Sequence, residues 1–172
     1  AWSFDQWRGV FYPDRLPAGD RLSFFCRHLN TVEIDSTFYS VPATHVCTHW
    51  AECSPPRFLF SAKLPRELTH ERALRDSAGP AAEFFEALRP LGPKLASVLI
   101  QLPPYFTLQE HEHSLRDFLR HLPSTSPALA VEFRDPTWHT PRIAHLLEEH
   151  GAAWVWNDTS TLADSAKSPF GF

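Results

Sequence analysis

Thr31-Val32-Glu33-Ile34-Asp35-Ser36-Thr37-Phe38 reads with the period of a β-strand. Successive strand side chains point to opposite faces, so Glu33, Asp35 and Thr37 share one face and Val32, Ile34 and Ser36 the other. Four further β-type runs follow: Phe58–Lys63, Val98–Leu102, Leu129–Arg134 and Ala152–Asp158. In the second run Leu59, Ser61 and Lys63 oppose Phe58, Phe60 and Ala62; in the fourth Ala130, Glu132 and Arg134 oppose Leu129, Val131 and Phe133. Every run ends in charged or amide residues. Burying such groups beside an apolar strand costs free energy unless they are paired or used. The strand ends are therefore where function is to be sought.

Between these runs the period changes. Apolar residues fall at i, i+3, i+4 and i+7 in five sets: Leu22/Phe25/Cys26/Leu29, Ala43/Val46/Cys47/Trp50, Ala81/Phe84/Phe85/Leu88, Leu115/Phe118/Leu119/Leu122 and Ile143/Leu146/Leu147/His150. That is the stripe of a helix lying on a sheet. Thr140 before Pro141 reads as an N-cap with a first-turn proline, and Gly151 as the residue just past a helix end. Alternating helix and strand predicts parallel strands joined by right-handed crossovers. The connection Leu64–Gly79 is unusually long and polar, which marks it as a functional loop.

A doubly wound sheet carries apolar residues on both faces. Here one face turns polar toward its C-terminal end, as in a closed barrel whose helices cover the outside and whose lumen takes the other face. The expected fold is α/β, a TIM-type (β/α) barrel, with residues 1–172 forming one partial domain of about five to six units, since eight units need about 250 residues. With no methionine anywhere and an abrupt Ser168-Pro169-Phe170-Gly171-Phe172 end, both termini read as cut.

Sixteen basic against 20 acidic residues leave a net charge of −4, so no global field recruits nucleic acid or an anionic membrane. No stretch approaches the roughly 20 apolar residues of a membrane span. No secretory signal is read at the N-terminus. Cys26, Cys47 and Cys53 lack a metal-type spacing; buried thiols for the first two, and a reducing cytoplasm, are the expectation. With six glycines the chain contains neither a dinucleotide-binding fingerprint nor a P-loop.

Three constellations can carry chemistry. Glu33, Asp35, Lys63, Gln101, Glu132, Arg134 and Asp158 come to one barrel mouth by strand arithmetic. The carboxylates suit a general acid and base or divalent-metal ligation, and Lys63 and Arg134 suit a phosphate or carboxylate. An internal ion-pair network filling the lumen is the alternative. The second is His70 in Thr69-His70-Glu71-Arg72, an acid–base group, a metal ligand or a solvated surface histidine; His111 and His113 read as surface residues. The third is aromatic: Trp7, Phe11 and Tyr12, then Phe38, Tyr39, Tyr105 and Trp138 past strand ends, placed to stack on sugars or bases or to pack in a core.

Trp7-Arg8-Gly9-Val10-Phe11-Tyr12-Pro13, Asn30–Tyr39, Phe60-Ser61-Ala62-Lys63 with Thr69-His70, Gln101-Leu102-Pro103-Pro104 and Val131–Trp138 resemble the YecE-like family, domain of unknown function 72. The resemblance runs from the first residues to about Asp158. It implies a TIM-type barrel distantly similar to endonuclease-four-like and sugar-isomerase-like barrels, and no established activity. Positions matching the family's motifs are Glu33, Asp35, Lys63, His70, Gln101, Glu132, Arg134 and Trp138. Family members usually begin with a strand ending Gly-Thr-Ser-Gly-Trp, of which only Ala1-Trp2-Ser3-Phe4 corresponds here. They also continue beyond Asp158 through further strands, and Asp35 stands where asparagine is common.

The functional expectation is a mouth site for a phosphate-, sugar- or nucleic-acid-type ligand, with metal-assisted hydrolysis or isomerisation as its chemistry. Glu33, Asp35, Lys63, His70, Glu132 and Arg134 are its catalytic candidates; Trp7, Tyr39, Gln101, Trp138 and Asp158 are its binding candidates. A divalent metal is the only cofactor suggested. A non-catalytic binding module and a fragment without activity of its own are the alternatives.

Overall fold

In the computed structural model, residues 2–157 are described. They form a five-stranded, wholly parallel sheet in the order β1-β2-β3-β4-β5. The strands are β1 (Thr31–Ile34), β2 (Leu59–Lys63), β3 (Leu95–Gln101), β4 (Leu129–Glu132) and β5 (Ala152–Trp154). The helices are α1 (Arg21–Phe25), α2 (Thr44–Cys53), α3 (Ala78–Leu88), α4 (Leu108–His121) and α5 (Pro141–Glu149). Among the described residues the strands lie side by side in sequence order, with no reversal of the winding. No described helix is long and apolar enough to cross a membrane.

The register explains why one face is buried. Val32 pairs with Phe60, Ile34 with Ala62, Ala62 with Val98, Val98 with Leu129, and Leu129 with Ala152. This apolar row is buried throughout and meets the helix stripes at Cys47, Phe84, Leu88, Leu115, Phe118, Ile143 and Leu147. The alternate row carries Glu33, Ser61, Lys63, Leu99, Ala130 and Glu132, all half-buried. Each helical stripe falls on a helix, although α1 ends at Phe25 and leaves Cys26 and the exposed Leu29 of its stripe beyond it, and the Thr140 hydroxyl accepts from the Ile143 amide at 3.3 Å as an N-cap. Gly151 sits at φ +62°, where a side chain would be strained, and ends α5.

The sequence reading is corrected in four places. First, β1 stops at Ile34, and Asp35–Phe38 forms a 3₁₀ turn instead of continuing the strand. Thr37 is driven inward by that turn and is fully buried. Its oxygen lies 2.7 Å from the Ile34 carbonyl and 2.8 Å from the Lys63 carbonyl, and accepts from the Lys63 amide at 2.9 Å. Second, His111 is buried, stacked on Phe106 with ring centroids 4.5 Å apart; His113 is exposed. Third, Trp138 belongs to the core. It stacks on Phe133 and Phe106, and its indole N–H donates to the Phe106 carbonyl at 2.5 Å. Fourth, Trp7 packs on Phe25, whose ring meets Phe58 at the start of β2. Lys63 is at the other end of that strand, so Trp7 is distant from the strand-end residues.

Cys26 and Cys47 are buried free thiols, each pushed up to about 11 by burial. Arg21 is also buried, its guanidinium bonded to Asp5 at 2.6 Å and to the Ser3 carbonyl at 3.0 Å, which ties the N-terminal segment to α1.

Thr37→Val keeps the shape but leaves the Lys63 amide without its acceptor. An unsatisfied buried donor costs about 1–3 kcal/mol. Urea unfolding is expected to show that loss with an unchanged denaturant slope; a variant as stable as the parent would contradict the clamp.

Candidate functional site

The polar row ends at the C-terminal edge of the sheet, and its residues fall into two groups. Glu132 on β4 is the hub of the first. Its carboxylate accepts from Gln101 Nε2 at 2.8 Å, from Arg134 Nε at 3.1 Å and from Asn157 Nδ2 at 3.3 Å. Gln101 and Glu132 are register partners on β3 and β4, so the first of these bonds follows from strand pairing alone. The Glu132 side chain is only 12% exposed, while Arg134 keeps 40% exposure and faces outward with its remaining donors. Such a carboxylate positions its partners; both its oxygens are occupied by donors.

The second group gathers around the end of β2. The Lys63 ammonium lies 4.9 Å from the centroid of the Phe38 ring, a cation–π contact. Glu33 and Asp35 are hydrogen-bonded neighbours. Burial pushes the Glu33 carboxyl up, the Asp35 hydrogen bond and charge push it further, and the Lys63 charge opposes them. Glu33 is thus pushed above its ordinary carboxylate value.

His70 stands in the long connection, which folds as a π-helical turn over Glu67–Glu71. A π-turn breaks the regular helical ladder and is frequent at functional sites. The turn is anchored by buried Leu68 and Thr69 and by the Arg72–Glu67 ion pair at 2.5 Å. Beyond it Ala73, Leu74 and Asp76 all adopt left-handed φ of +48°, +63° and +49°. Such backbone is costly for residues other than glycine and persists only where its surroundings enforce it; here Leu74 is buried and its amide bonds the Leu68 carbonyl at 2.8 Å. The His70 ring meets Thr69 Oγ1 at 2.8 Å, and the Tyr105 hydroxyl donates to the His70 carbonyl at 2.9 Å. Burial pushes the imidazole down, and the positive charges of Arg66, Arg134 and Lys63 push it further, against Glu71. Those three cations therefore lie within electrostatic reach of one ring although they come from β2, the loop after it and the end of β4.

Of the strand-end candidates, Gln101 bonds Glu132, and Glu33 neighbours Asp35 within reach of the Lys63 charge; His70, from the separate loop constellation, feels the charges of Lys63 and Arg134. Glu33, Asp35 and Glu132 do not come together as one carboxylate set. Glu132 is three strands from Glu33, and among the described residues no group of three His, Cys, Asp or Glu side chains can hold a metal ion. Tyr39 is 79% exposed, just after the turn that follows β1. Asp158 lies outside the described residues. Thr37, Arg66 and Asn157, which neighbour these candidates in the structure, were not among them, whereas Tyr105 was already read as an aromatic past a strand end. Asn157 does stand just past a strand end in the sequence, which is the signal that points to it. The surface recess of about 780 Å³ lined by Thr44, Ala82, Glu86 and Arg89 contains none of these residues.

The model of the family described as protein of unknown function DUF72 matches residues 1–169. The UPF0759 protein YecE of Escherichia coli K12 is 34% identical over 115 residues, 67% of this chain and 42% of that protein. The UPF0759 protein YunF of Bacillus subtilis is 27% identical over 136 residues, 76% of this chain and 48% of that protein. The crystal structure of the DUF72 family protein TM1631 of Thermotoga maritima superposes with a TM-score of 0.76 at 26% identity, covering 90% of this chain and 61% of that one. A DUF72 family protein of Enterococcus faecalis shares the fold at a TM-score of 0.60 and 21% identity, over 77% of this chain and 57% of that one. The chain thus spans less than half the length of the curated relatives it matches. With the family model matched along almost its whole length, the chain belongs to the DUF72 (UPF0759, YecE-like) family, whose function is not established.

Proposed function

We propose that the C-terminal strand ends form the mouth of a TIM-type barrel and bind a phosphate-bearing ligand there. The observation that carries the reading is the Lys63 ammonium 4.9 Å from the Phe38 ring, which itself meets His70 at 5.2 Å, with Arg66 and Arg134 adding to the positive charge that pushes the imidazole down. Cations drawn from separate elements to one ring repel one another, and a bound oxyanion relieves that repulsion. Lys63 and Arg134 contact the ligand, and Glu132 with Gln101 orients Arg134. Glu33, whose carboxyl is pushed up by burial and by Asp35, is the acid candidate for a hydrolysis or isomerisation step.

The register supports the barrel. Glu33 pairs with Ser61, two residues short of Lys63; Lys63 pairs with Leu99, two short of Gln101; Gln101 pairs with Glu132 directly. The polar positions climb about one residue per strand step, which is the stagger of an eight-stranded barrel with shear 8. The unpaired buried thiols suit a reducing cytoplasm. A binding module without turnover is the second reading, favoured by Glu132, whose oxygens are engaged by three donors and so are poorly placed to act as a base.

Calorimetric titration with pyrophosphate tests the site. Removing one charge-assisted contact is worth about 1.5–3 kcal/mol, so Arg134→Gln is expected to weaken binding about tenfold or more. Equal affinity in parent and variant, or no binding in either, would sink the proposal.

Glu33 gives a pH test. Its folded pKa is raised, so ionising it in the folded state opposes folding once pH exceeds the folded value. Glu33→Gln removes that penalty. The variant is expected to be more stable than the parent near neutral pH, with the advantage fading as pH falls toward the ordinary carboxylate range. An advantage that grows on acidification would show the opposite sign and refute the assignment.

A further inference from the structure

Four rings form a continuous strip across the ends of the first three strands. Tyr39 meets Phe38 edge-on at 5.2 Å, Phe38 meets His70 edge-on at 5.2 Å, and His70 meets Tyr105 edge-on at 6.4 Å. The two ends of the strip are exposed, Tyr39 at 79% and Tyr105 at 56%. Neither is needed to fill the core. Tyr105 is nevertheless held in place, because its hydroxyl donates to the His70 carbonyl at 2.9 Å. The Lys63 ammonium sits 4.9 Å from the Phe38 ring near the middle of the strip. Arg66 and Arg134 are exposed, and their charges reach the His70 ring of the strip.

We propose that this strip binds single-stranded nucleic acid, with bases stacked on Tyr39 and Tyr105 and phosphates held by Lys63, Arg66 and Arg134. The inference rests on the phosphate-site reading and adds the rest of the ligand to it. Exposed aromatic rings alternating with cations are the two elements of single-strand recognition: every base offers a π-face, and every linkage a phosphate. A duplex hides its base faces within the stack, so it cannot use the tyrosines. A neutral sugar chain would stack on the rings but bring no negative charge to Lys63, Arg66 or Arg134. A single nucleotide can engage one end of the strip only, whereas a strand reaches both.

The net charge of −4 does not oppose this, because the contribution is local and the stacking term is independent of charge. It does set the expected salt response. Three phosphate contacts on a single strand give a log–log slope of affinity against salt of about −2.

The test is fluorescence anisotropy of the full chain with a labelled oligothymidylate of about twelve nucleotides, within the usual site size of single-strand binders. A hairpin duplex, thymidine monophosphate and linear polyphosphate serve as competitors. The single strand is expected to bind best, and Tyr39→Leu and Tyr105→Leu are each expected to weaken it about fivefold or more without weakening polyphosphate. Tyr39→Phe, which keeps the ring, is expected to bind like the parent. If polyphosphate binds and depends on Arg134 while the tyrosine variants bind the strand like the parent, the phosphate site stands and the nucleic-acid inference falls. If neither strand nor polyphosphate binds, both fall. Preference for the duplex or for the monophosphate would likewise overturn the inference.

Discussion

A parallel strand presses one row of side chains against its crossover helices, and the pleat throws the alternate row to the opposite face. Everything at the strand ends depends on that division. Val32, Ile34, Phe60, Ala62, Val98, Ile100 and Val131 fill the helix-facing side and bring the burial that stabilises the sheet. Glu33, Lys63 and Glu132 are consequently held on the other face at fixed heights, with rigid backbone beneath them. A shift of one residue in any strand would exchange the two rows, so the apolar row enforces the register that places the charges.

Two local devices turn this frame into a site. The Thr37 hydroxyl joins the end of β1 to the end of β2, and in doing so fixes the backbone that carries Lys63. The π-turn and the left-handed residues after it hold His70 over the same strand end, latched by Tyr105 from the loop after β3. Strain of this kind survives because Leu68 and Leu74 are buried beneath it. The scaffold is conventional and the departures from regular backbone cluster where the charged residues meet.

Most of the frame was legible in the sequence. The period-2 faces of the second and fourth runs, the five helical stripes, the Thr140 cap and the Gly151 stop all read directly as structure. The failures share a physical cause. Asp35 and Thr37 continue the alternation of β1, yet a turn of side-chain-to-backbone hydrogen bonds competes with the strand and wins. Trp138 looked like a mouth aromatic because it follows a strand end. Asp135 caps the short turn through the Thr137 amide at 3.0 Å, and that turn swings the indole into the core. His111 looked solvated because its neighbours are polar, but helix periodicity puts it against Phe106. Which charges pair across strands depends on register and loop path, neither of which a single sequence displays.

In the proposed site an anion binds where the charges of Lys63, Arg66 and Arg134 reach His70. The most direct measurement is the NMR titration of the His70 imidazole with and without pyrophosphate. Burial and the three cations hold the free midpoint below the ordinary histidine value. A bound anion offsets those charges, so the midpoint is expected to rise when pyrophosphate is present. A midpoint that starts low and ignores pyrophosphate would contradict the account.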